Sequence, residues 1–320
     1  MTETDSASEE MKSRFDIITT GMALVDSIII GYDPEPVSGR VYHAEQGSLH
    51  VGGEAVNSAI ASAKLGMDTA ILCHLGEDEA GKLVEEALKR FGVATDAILK
   101  DEEHPTPIST LLVDHTGERS SITNAAHRYN FRPDQHPESI AGAKAVIIGS
   151  LFRAPFDDAE IIERFLKQAK AGGSIVFADT KIPNFRKLTL EDVQKSLPWV
   201  DYITPNVVEA RYLTGKTDPE EMAEVFCQKG VKNVIIKLGN KGCYFRSPLD
   251  KGYIPAYEIR AVDATGAGDN FIAGLAAEIL RGSSLRQALD FASACGAICA
   301  TAAGACTALT GRQQVLDFMK

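Results

Sequence analysis

A regular alternation of short apolar runs and amphipathic helical patterns constrains the fold of this 320-residue chain more than any other feature. The apolar runs that predict strands are 17–20, 69–74, 145–149, 174–178, 202–204 and 233–238. The patterns that predict helices are 54–65, 80–91, 157–171, 206–213, 219–229, 270–281 and 285–302. This order is typical of successive β-α-β units, which build a mostly parallel sheet covered by helices. We therefore predict an α/β fold.

Two stretches break the alternation, at about 27–51 and 97–124. Both are extended and contain glycines and prolines, so we expect them to pair into a small sheet over the cleft. Residues 1–14 are polar and acidic without an apolar core, which excludes a signal peptide and predicts a disordered tail. Neither a repeat nor a low-complexity linker divides the remainder. Residues 15–320 are therefore predicted to form one α/β domain with an inserted lid.

A glycine-rich turn at 263–271 reads Asp-Ala-Thr-Gly-Ala-Gly-Asp-Asn-Phe, follows a β-like run at 253–262 and opens a helical pattern. The small residues Gly266, Ala267 and Gly268 let backbone N–H groups converge at a helix N-terminus, which suits an anion or developing negative charge. A carboxylate is the wrong group to hold against a resting phosphate. Asp269 is therefore interpreted as a base that takes a proton from a hydroxyl attacking a phosphoryl group. The alternative interpretation is that Asp269 only caps the helix.

Better-known phosphate-binding and kinase motifs are excluded by the sequence. A dinucleotide fingerprint would require a glycine in place of Phe271, which argues against an NAD-dependent dehydrogenase. The chain contains no Walker A string. The tripeptide 127–129 reads His-Arg-Tyr and not the His-Arg-Asp of protein kinases. Any transfer of phosphate by this chain must therefore use another loop.

A second glycine-rich element runs from Gly52 to Gly66, where paired glycines precede an alanine-rich helical pattern with a normal C-terminal stop. Asn57 falls in the first turn of this helix, so its amide is placed to face a ligand held over Gly53. The alternative is a helix whose small residues simply allow close packing against a sheet. Local sequence leaves both interpretations open.

Five motifs in order make this sequence resemble the ribokinase-like (PfkB) sugar kinase family, from about Phe15 to the C-terminus. The stretches 52–66 and 263–271 are similar to the two family signatures, and 21–26 is similar to the first strand with its substrate-binding aspartate. The stretches 204–209 and 237–242 are similar to the Asn-x-x-Glu element and to the nucleotide-side strand and turn. The resemblance implies a Rossmann-like, three-layer core with a mostly parallel central sheet and a small β lid.

The resemblance also implies a role for each candidate site residue. It makes Asp269 the catalytic base, beside an anion hole formed by Gly266, Ala267 and Gly268. The residues implied to bind the sugar are Asp26, Gly53 and Asn57. The residues implied to bind ATP are Asn206, Lys237, Gly239, Gly242 and Ser293. The implied metal positions are Glu209 for Mg²⁺, directly or through water, and Asp263 with Gly304 for K⁺.

Two of these roles have structural alternatives. Asp26 could be a buried aspartate held by structural hydrogen bonds. Asn206 could be a helix N-cap followed by an exposed Glu209. The expected reaction is transfer of the γ-phosphoryl group of ATP to a primary hydroxyl of a small carbohydrate. The other hypotheses are a nucleoside kinase, for which Tyr42 is the obvious aromatic platform in the lid, and a non-catalytic sugar-binding protein.

The sequence departs from the family pattern at residues that bear on the substrate. Ribokinase has Lys-Gly after the paired glycines, whereas this chain has Glu54-Ala55, and Lys181 stands where asparagine is common. The charged and aromatic groups that could meet an acidic sugar, or could be ordinary surface residues, are Arg128, Tyr129, Lys181 and Arg186. The choice between a ketohexose, a pentose and a sugar acid stays open.

Charge and cysteine content bear on partners and compartment. A net charge of −11 argues against nucleic acid or an anionic membrane as a partner. Six cysteines without a Cys-x-x-Cys pair indicate reduced thiols and a cytoplasmic location. The uncharged run 291–311 is poor in large apolar residues and predicts a buried helix rather than a membrane span. Apolar residues on both faces of the run 108–113 predict a homodimer formed through the lids, the alternative being that Leu111 and Val113 rest on the core.

Overall fold

The computed structural model describes residues 15–33, 35, 37–116, 118–124 and 130–320. The predicted disordered tail at 1–14 lies outside the described residues, as do Arg128 and Tyr129. The strands are β1 (Phe15–Thr20), β2 (Leu24–Tyr32), β3 (Gln46–Gly52), β4 (Thr69–Leu72), β5 (His74–Gly76), β6 (Leu99–Asp101), β7 (Ile108–Asp114), β8 (Arg119–Thr123), β9 (Ala143–Leu151), β10 (Ile175–Thr180), β11 (Tyr202–Ile203), β12 (Asn233–Lys237), β13 (Cys243–Arg246) and β14 (Lys251–Ile254). The α-helices are α1 (Glu54–Lys64), α2 (Glu79–Arg90), α3 (Pro137–Ile140), α4 (Ala159–Ala171), α5 (Val207–Thr214), α6 (Pro219–Gln228), α7 (Ala267–Leu280), α8 (Leu285–Cys299) and α9 (Arg312–Phe318).

The large sheet is mostly parallel, as the alternating pattern predicts. Within the described ranges it contains eight strands in the order β14-β13-β12-β11-β10-β9-β1-β4. Six neighbouring strands of this sheet are parallel, namely β4, β1, β9, β10, β11 and β12. The strands β13 and β14 add an antiparallel edge. The carboxyl ends of the parallel strands meet at one edge of the sheet, where ligands of doubly wound folds bind.

Helices cover both faces of the large sheet. Successive residues of each strand point to opposite faces, so neighbours in one strand pack against different helices. Ile17 is buried in a cluster with residues of α1, α7 and α8. Ile18, the next residue, is buried in a cluster with residues of α4 and α6 on the other face. Both faces are apolar, as expected for parallel strands covered on both sides. The arrangement confirms the predicted three-layer α/β core.

The small sheet has the strand order β3-β2-β7-β8 and is built from parts of the two stretches that break the alternation. Residues 99–101 do not join it, since β6 pairs with β5. The register places Leu49, Ile108 and Ile122 on one face of the small sheet, and each of these side chains is exposed. Asp26, His50 and Ser109 share the opposite face.

Several element boundaries differ from the sequence prediction. The expected strand at 253–262 is wrong beyond Ile254, where β14 ends. Helix α7 begins at Ala267 rather than at Asn270, because Gly266 adopts the left-handed conformation that ends the loop. Helix α8 ends at Cys299 and is followed by turns that include Gly304. Of the helices described, none is long and apolar enough to cross a membrane.

Candidate active site

Asp269 lies in the first turn of α7 and does not cap it. The N-cap is Gly266, which has φ 79° and makes no side-chain capping hydrogen bond. A Cβ atom at Gly266 would lie 2.2 Å from Cβ of Ala305, so the loop has no room for a larger residue. The interpretation of Asp269 as a helix cap is therefore wrong, and its carboxylate is available for another role.

The carboxylate of Asp269 is buried, with only 8% of the residue exposed. Its Oδ2 accepts a hydrogen bond of 2.8 Å from Nδ2 of Asn57 in α1. Burial raises the pKa of Asp269 to about 7, against the lowering effects of Lys181 and of the Asn57 hydrogen bond. Glu54 and Asp179 raise this pKa further. A carboxyl group with a pKa near neutrality is suited to accept a proton at physiological pH.

The N-terminus of α7 offers backbone donors beside Asp269. The N–H of Ala267 is used within the loop, where it donates to the carbonyl oxygen of Ala264 at 3.2 Å. The next N–H groups, of Gly268 and Asp269, belong to the first turn and have no acceptor within the helix. A Cβ atom at Gly268 would lie 3.0 Å from Nζ of Lys237, so a cation stands next to these donors. The position combines two features that favour negative charge.

An ion pair between Asp179 and Lys237 lies at the same edge of the large sheet. Nζ of Lys237 is 2.8 Å from each carboxylate oxygen of Asp179. Asp179 also accepts a hydrogen bond of 3.1 Å from Oγ1 of Thr204, and only 3% of its side chain is exposed. The sequence motifs assigned no role to Asp179. Its position at the end of an apolar strand is the signal that could have identified it.

Asn206 and Glu209 form a capping box at the start of α5. Oε2 of Glu209 accepts hydrogen bonds of 3.0 Å from the N–H of Asn206 and from Oγ1 of Thr180. The alternative interpretation is therefore correct about the cap at Asn206. It is wrong about an exposed glutamate, since Glu209 is only 6% exposed. Burial and the neighbouring Asp179 raise the pKa of Glu209, and Lys237 opposes this shift. Glu209 is a carboxylate held inside the site.

Asp26 lies on β2 of the small sheet, opposite His50 of β3 and Ser109 of β7. Burial raises the pKa of its carboxyl group, while His50 and a hydrogen bond from Ser109 oppose the shift. A Cβ atom at Gly52 would lie 2.1 Å from Oδ2 of Asp26, so the carboxylate rests on the glycine backbone that leads into α1. Gly53 is the N-cap of α1 with φ 93°. Asp26, Gly53 and Asn57 thus lie on connected elements at one side of the site.

The predicted nucleotide residues lie at the other side. Lys237 forms a parallel bridge with Asn206, which places the end of β12 beside the start of α5. Gly242 has φ 86°, and a Cβ atom there would lie 1.9 Å from the carbonyl oxygen of Ile254. Gly239 begins a short 3₁₀ turn between β12 and β13. Ser293 of α8 is half-buried and hydrogen-bonds with the thiol of Cys243.

Asp263 and Gly304 come together at a third point. The N–H of Gly304 donates to Oδ2 of Asp263 at 3.1 Å, and Thr265 donates to Oδ1 through its N–H and its hydroxyl. His50 reaches this loop, since a Cβ atom at Gly304 would lie 3.7 Å from its Nδ1. Across the part of the chain that is described, no group of three or more His, Cys, Asp and Glu residues is arranged to hold a metal.

Lys181 and Arg186, two of the residues considered as partners of an acidic sugar, differ in burial and in their neighbouring charges. Burial disfavours the charge of Lys181, but the pKa of its ammonium group is raised because Asp179, Asp269, Glu54 and Glu209 surround it. Arg186 is exposed and pairs with Asp158. Arg186 therefore fits the surface interpretation, and Lys181 belongs to the site.

Comparison with known proteins gives matches over most of the chain. Residues 19–311 match the model described as pfkB family carbohydrate kinase. The chain is 32% identical over 279 residues to the bifunctional ribokinase/ribose-5-phosphate isomerase A of Fructilactobacillus sanfranciscensis, covering 84% of this chain and half (50%) of that protein. It is 30% identical over 325 residues to probable fructokinase-3 of Arabidopsis thaliana, covering 95% of this chain and 91% of that protein. The structure of Arabidopsis thaliana ribokinase complexed with ribose and ATP superposes with a TM-score of 0.83 at 27% identity, over 96% of this chain and 99% of that one.

Proposed function

This chain belongs to the pfkB family of carbohydrate kinases, and we propose that it transfers the γ-phosphoryl group of ATP to a primary hydroxyl of a small carbohydrate. One observation carries the proposal: a buried carboxyl group with a pKa of about 7 lies at the N-terminus of a helix, hydrogen-bonded to Asn57. ATP as the donor is supported by the ribokinase structure with ribose and ATP.

In the proposed step, Asp269 accepts the proton of the sugar hydroxyl as its oxygen attacks the γ-phosphorus atom. A new P–O bond forms to the sugar while the bond between the γ-phosphorus and the β,γ-bridging oxygen breaks, and ADP leaves with that electron pair. The N–H groups of Gly268 and Asp269 and the nearby Lys237 stabilise the negative charge on the transferred group. The glycines allow the close packing that this arrangement needs, since Gly266 lies against Ala305 and Gly268 lies against Lys237.

The nucleotide is assigned to the side of the site formed by Asn206, Lys237, Gly239, Gly242 and Ser293. Glu209 would hold Mg²⁺ directly or through water. Its carboxylate is buried, Oε2 accepts both of its hydrogen bonds from the described residues, and Oε1 is left for the ion. When bound, Mg²⁺ neutralises phosphate charge. Asp263 and Gly304 remain the proposed K⁺ position, supported by the hydrogen bond that joins them.

The sugar is assigned to Asp26, Gly53 and Asn57, and the small sheet to the role of lid over it. A homodimer through the lids is supported by the exposed apolar side chains of Leu49, Ile108 and Ile122, which lie on the face of the sheet opposite Asp26. All six cysteines of the sequence are free, which supports a reducing compartment such as the cytoplasm.

The proposal is tested by measuring ADP release with ATP, Mg²⁺ and a panel of neutral sugars, sugar acids and nucleosides. We expect turnover of a sugar. Tyr42, the aromatic candidate for a nucleoside platform, is 51% exposed and lies outside the strands of the lid, so nucleosides are expected to be poor acceptors. If the protein turned over none of these compounds and did not bind ATP, it would not be a kinase.

A further inference from the structure

Glu54 is fixed inside the candidate active site, although no role has been assigned to it so far. It is the first residue of α1, and its side chain lies between Gly21, which follows β1, and Gly149 near the end of β9. Its Oε1 accepts a hydrogen bond of 3.3 Å from the N–H of Met22 and another from Oγ of Ser150. A Cβ atom at Gly149 would lie 2.4 Å from Cγ of Glu54. The side chain is therefore held by two segments of the chain, at Met22 and at the end of β9, and is not a freely solvated charge.

The second carboxylate oxygen of Glu54 is left for a ligand. Within the described part of the chain, Oε2 has neither a hydrogen bond nor an ion pair. Glu54 is close enough to Asp269 and to Lys181 to influence the protonation of both. The carboxylate thus adjoins the proposed base and presents a free acceptor beside it. An ionised carboxylate can only accept hydrogen bonds, and those it accepts from hydroxyls are among the stronger ones.

The charges around Glu54 do not suit an anionic sugar. Asp26 brings a second carboxylate to the sugar side, against the backbone of Gly52, two residues before Glu54. The charge of Lys181 is influenced by the carboxylates of Asp179, Asp269, Glu54 and Glu209. Among the described residues of the site, the carboxylates therefore outnumber the cations Lys181 and Lys237, and a sugar acid would add further negative charge beside Asp26, Glu54 and Asp269. A neutral sugar supplies only hydroxyl donors, which match these acceptors.

We propose that Oε2 of Glu54 accepts a hydrogen bond from a hydroxyl of the acceptor sugar, and that Glu54 together with Asp26 makes the site selective for uncharged sugars over sugar acids. This proposal rests on the kinase function proposed above and deepens it. A site built to bind hydroxyl groups discriminates strongly against ligands that leave its polar groups unpaired.

The test is steady-state kinetics of the wild type and of Glu54→Gln, using D-ribose and D-fructose against D-ribonate and D-gluconate. We expect the wild type to prefer a neutral sugar by more than about tenfold in kcat/KM. In Glu54→Gln, KM for that sugar should rise about tenfold, and KM for ATP should stay unchanged. The ratio of kcat/KM for the neutral sugar to kcat/KM for the sugar acid should decrease. The matched control is Glu79→Gln, which alters the first residue of α2, where the side chain is 90% exposed.

Ser150→Ala provides a second variant, since it removes a donor that fixes Glu54 without changing charge. It should raise KM for the sugar in the same direction and leave KM for ATP unchanged. The inference is overturned if a folded Glu54→Gln keeps the wild-type KM for the sugar, or if the wild type prefers a sugar acid. Kinase activity would survive either result. If no sugar or sugar acid is phosphorylated by the wild type, the kinase proposal fails together with this inference.

Discussion

The side chains of Asn57 and Asp269, separated by 212 positions in the sequence, are joined by a hydrogen bond of 2.8 Å. The bond connects α1, which carries the proposed sugar residues Asn57 and Glu54, to α7, which carries the proposed base. Because Asn57 donates through its amide, it stabilises the ionised form of Asp269 and fixes the orientation of the carboxylate. The geometry of the proposed reaction therefore depends on the packing of these two helices.

Asp269→Asn removes the proposed base but preserves the size of the side chain and an oxygen that can accept from Asn57. Loss of a general base should lower kcat by roughly 10²–10⁴, with ATP affinity little changed. Rapid-quench and steady-state assays measure kcat, and calorimetry measures ATP binding. A variant with nearly wild-type kcat would show that Asp269 is not the base.

The melting temperature of Asp269→Asn provides a control, because the direction of its change with pH can be predicted. The pKa of Asp269 is raised from 3.8 to about 7 in the folded protein. This carboxyl group therefore lowers the free energy of unfolding as the pH rises from 3.8 through 7, and the loss is complete above that pH. Asp269→Asn should therefore melt at a higher temperature than the wild type at pH 8. The difference should shrink as the pH falls through 7 toward 3.8. Thermal unfolding across this range separates loss of the base from loss of structure.

The pH dependence of kcat/KM should reveal the pKa of Asp269. Activity should fall as the pH drops below about 7, where the carboxyl group becomes protonated. Lys181 lowers this pKa, so Lys181→Gln should move the acidic limb of the profile to higher pH. The exposed Lys187 provides the control, since Lys187→Gln should leave the limb in place. An unmoved limb in Lys181→Gln would show that this charge does not act on the base.

Asp26→Ala removes a carboxylate from the proposed sugar side of the site. A hydrogen bond to a charged group is worth about 1.5–3 kcal/mol, so kcat/KM for the sugar should fall by more than about tenfold while ATP binding is retained. Isothermal titration with each ligand separates the two effects. If both ligands bound more weakly by the same factor, Asp26 would have a structural role.

Glu209→Gln should raise the magnesium concentration required for half-maximal activity, because the variant loses a charged oxygen ligand for the ion or its waters. Glutamine can still accept the hydrogen bonds from Asn206 and Thr180 through its amide oxygen, so folding should be preserved. Activity titrated with Mg²⁺ measures the change. A magnesium profile identical to that of the wild type would leave Glu209 with the capping role alone.

Ile122→Asp should convert the predicted dimer to a monomer. Ile122 is 69% exposed on the apolar face of the small sheet, and a carboxylate there would be buried in an interface between lids. Light scattering at micromolar concentration measures the mass. Leu249, which is 98% exposed on the loop between β13 and β14, supplies the control Leu249→Asp. A wild type that is monomeric and fully active at this concentration would exclude the assembly.

The sequence predicted those parts of the fold that depend on residues close together in the chain. The alternating burial of neighbours such as Ile17 and Ile18 follows from side-chain direction in a strand, so the core strands and most helices could be located. The predicted start of α7 was wrong by three residues, because the helix follows directly on the left-handed Gly266, whose loop packs against Ala305 of the C-terminal segment. Local pattern does not contain that information.

The lack of information about distant contacts also explains which candidate site residues could be predicted from the sequence. Asp269, Asn57 and Glu209 lie in recognisable motifs, but the ion pair of Asp179 with Lys237 joins the ends of two strands 58 positions apart. The contact of Glu54 with Ser150 spans 96 positions. Only the order of strands in the large sheet brings these side chains together, and that order is a property of the whole fold.

The close packing of α1 against the C-terminal third has a consequence for synthesis on the ribosome. Ala61 of α1 and Leu65, which follows the helix, are buried in a cluster with residues of α7 and α8, and Lys64 donates hydrogen bonds to the carbonyl oxygens of Cys306 and Leu309. More than 200 residues separate α1 from these partners, which at about 5–20 residues per second corresponds to roughly 10–40 s of translation. During that interval the nascent chain carries part of the apolar surface of α1 without its final cover, and aggregation competes with folding until the last helices emerge.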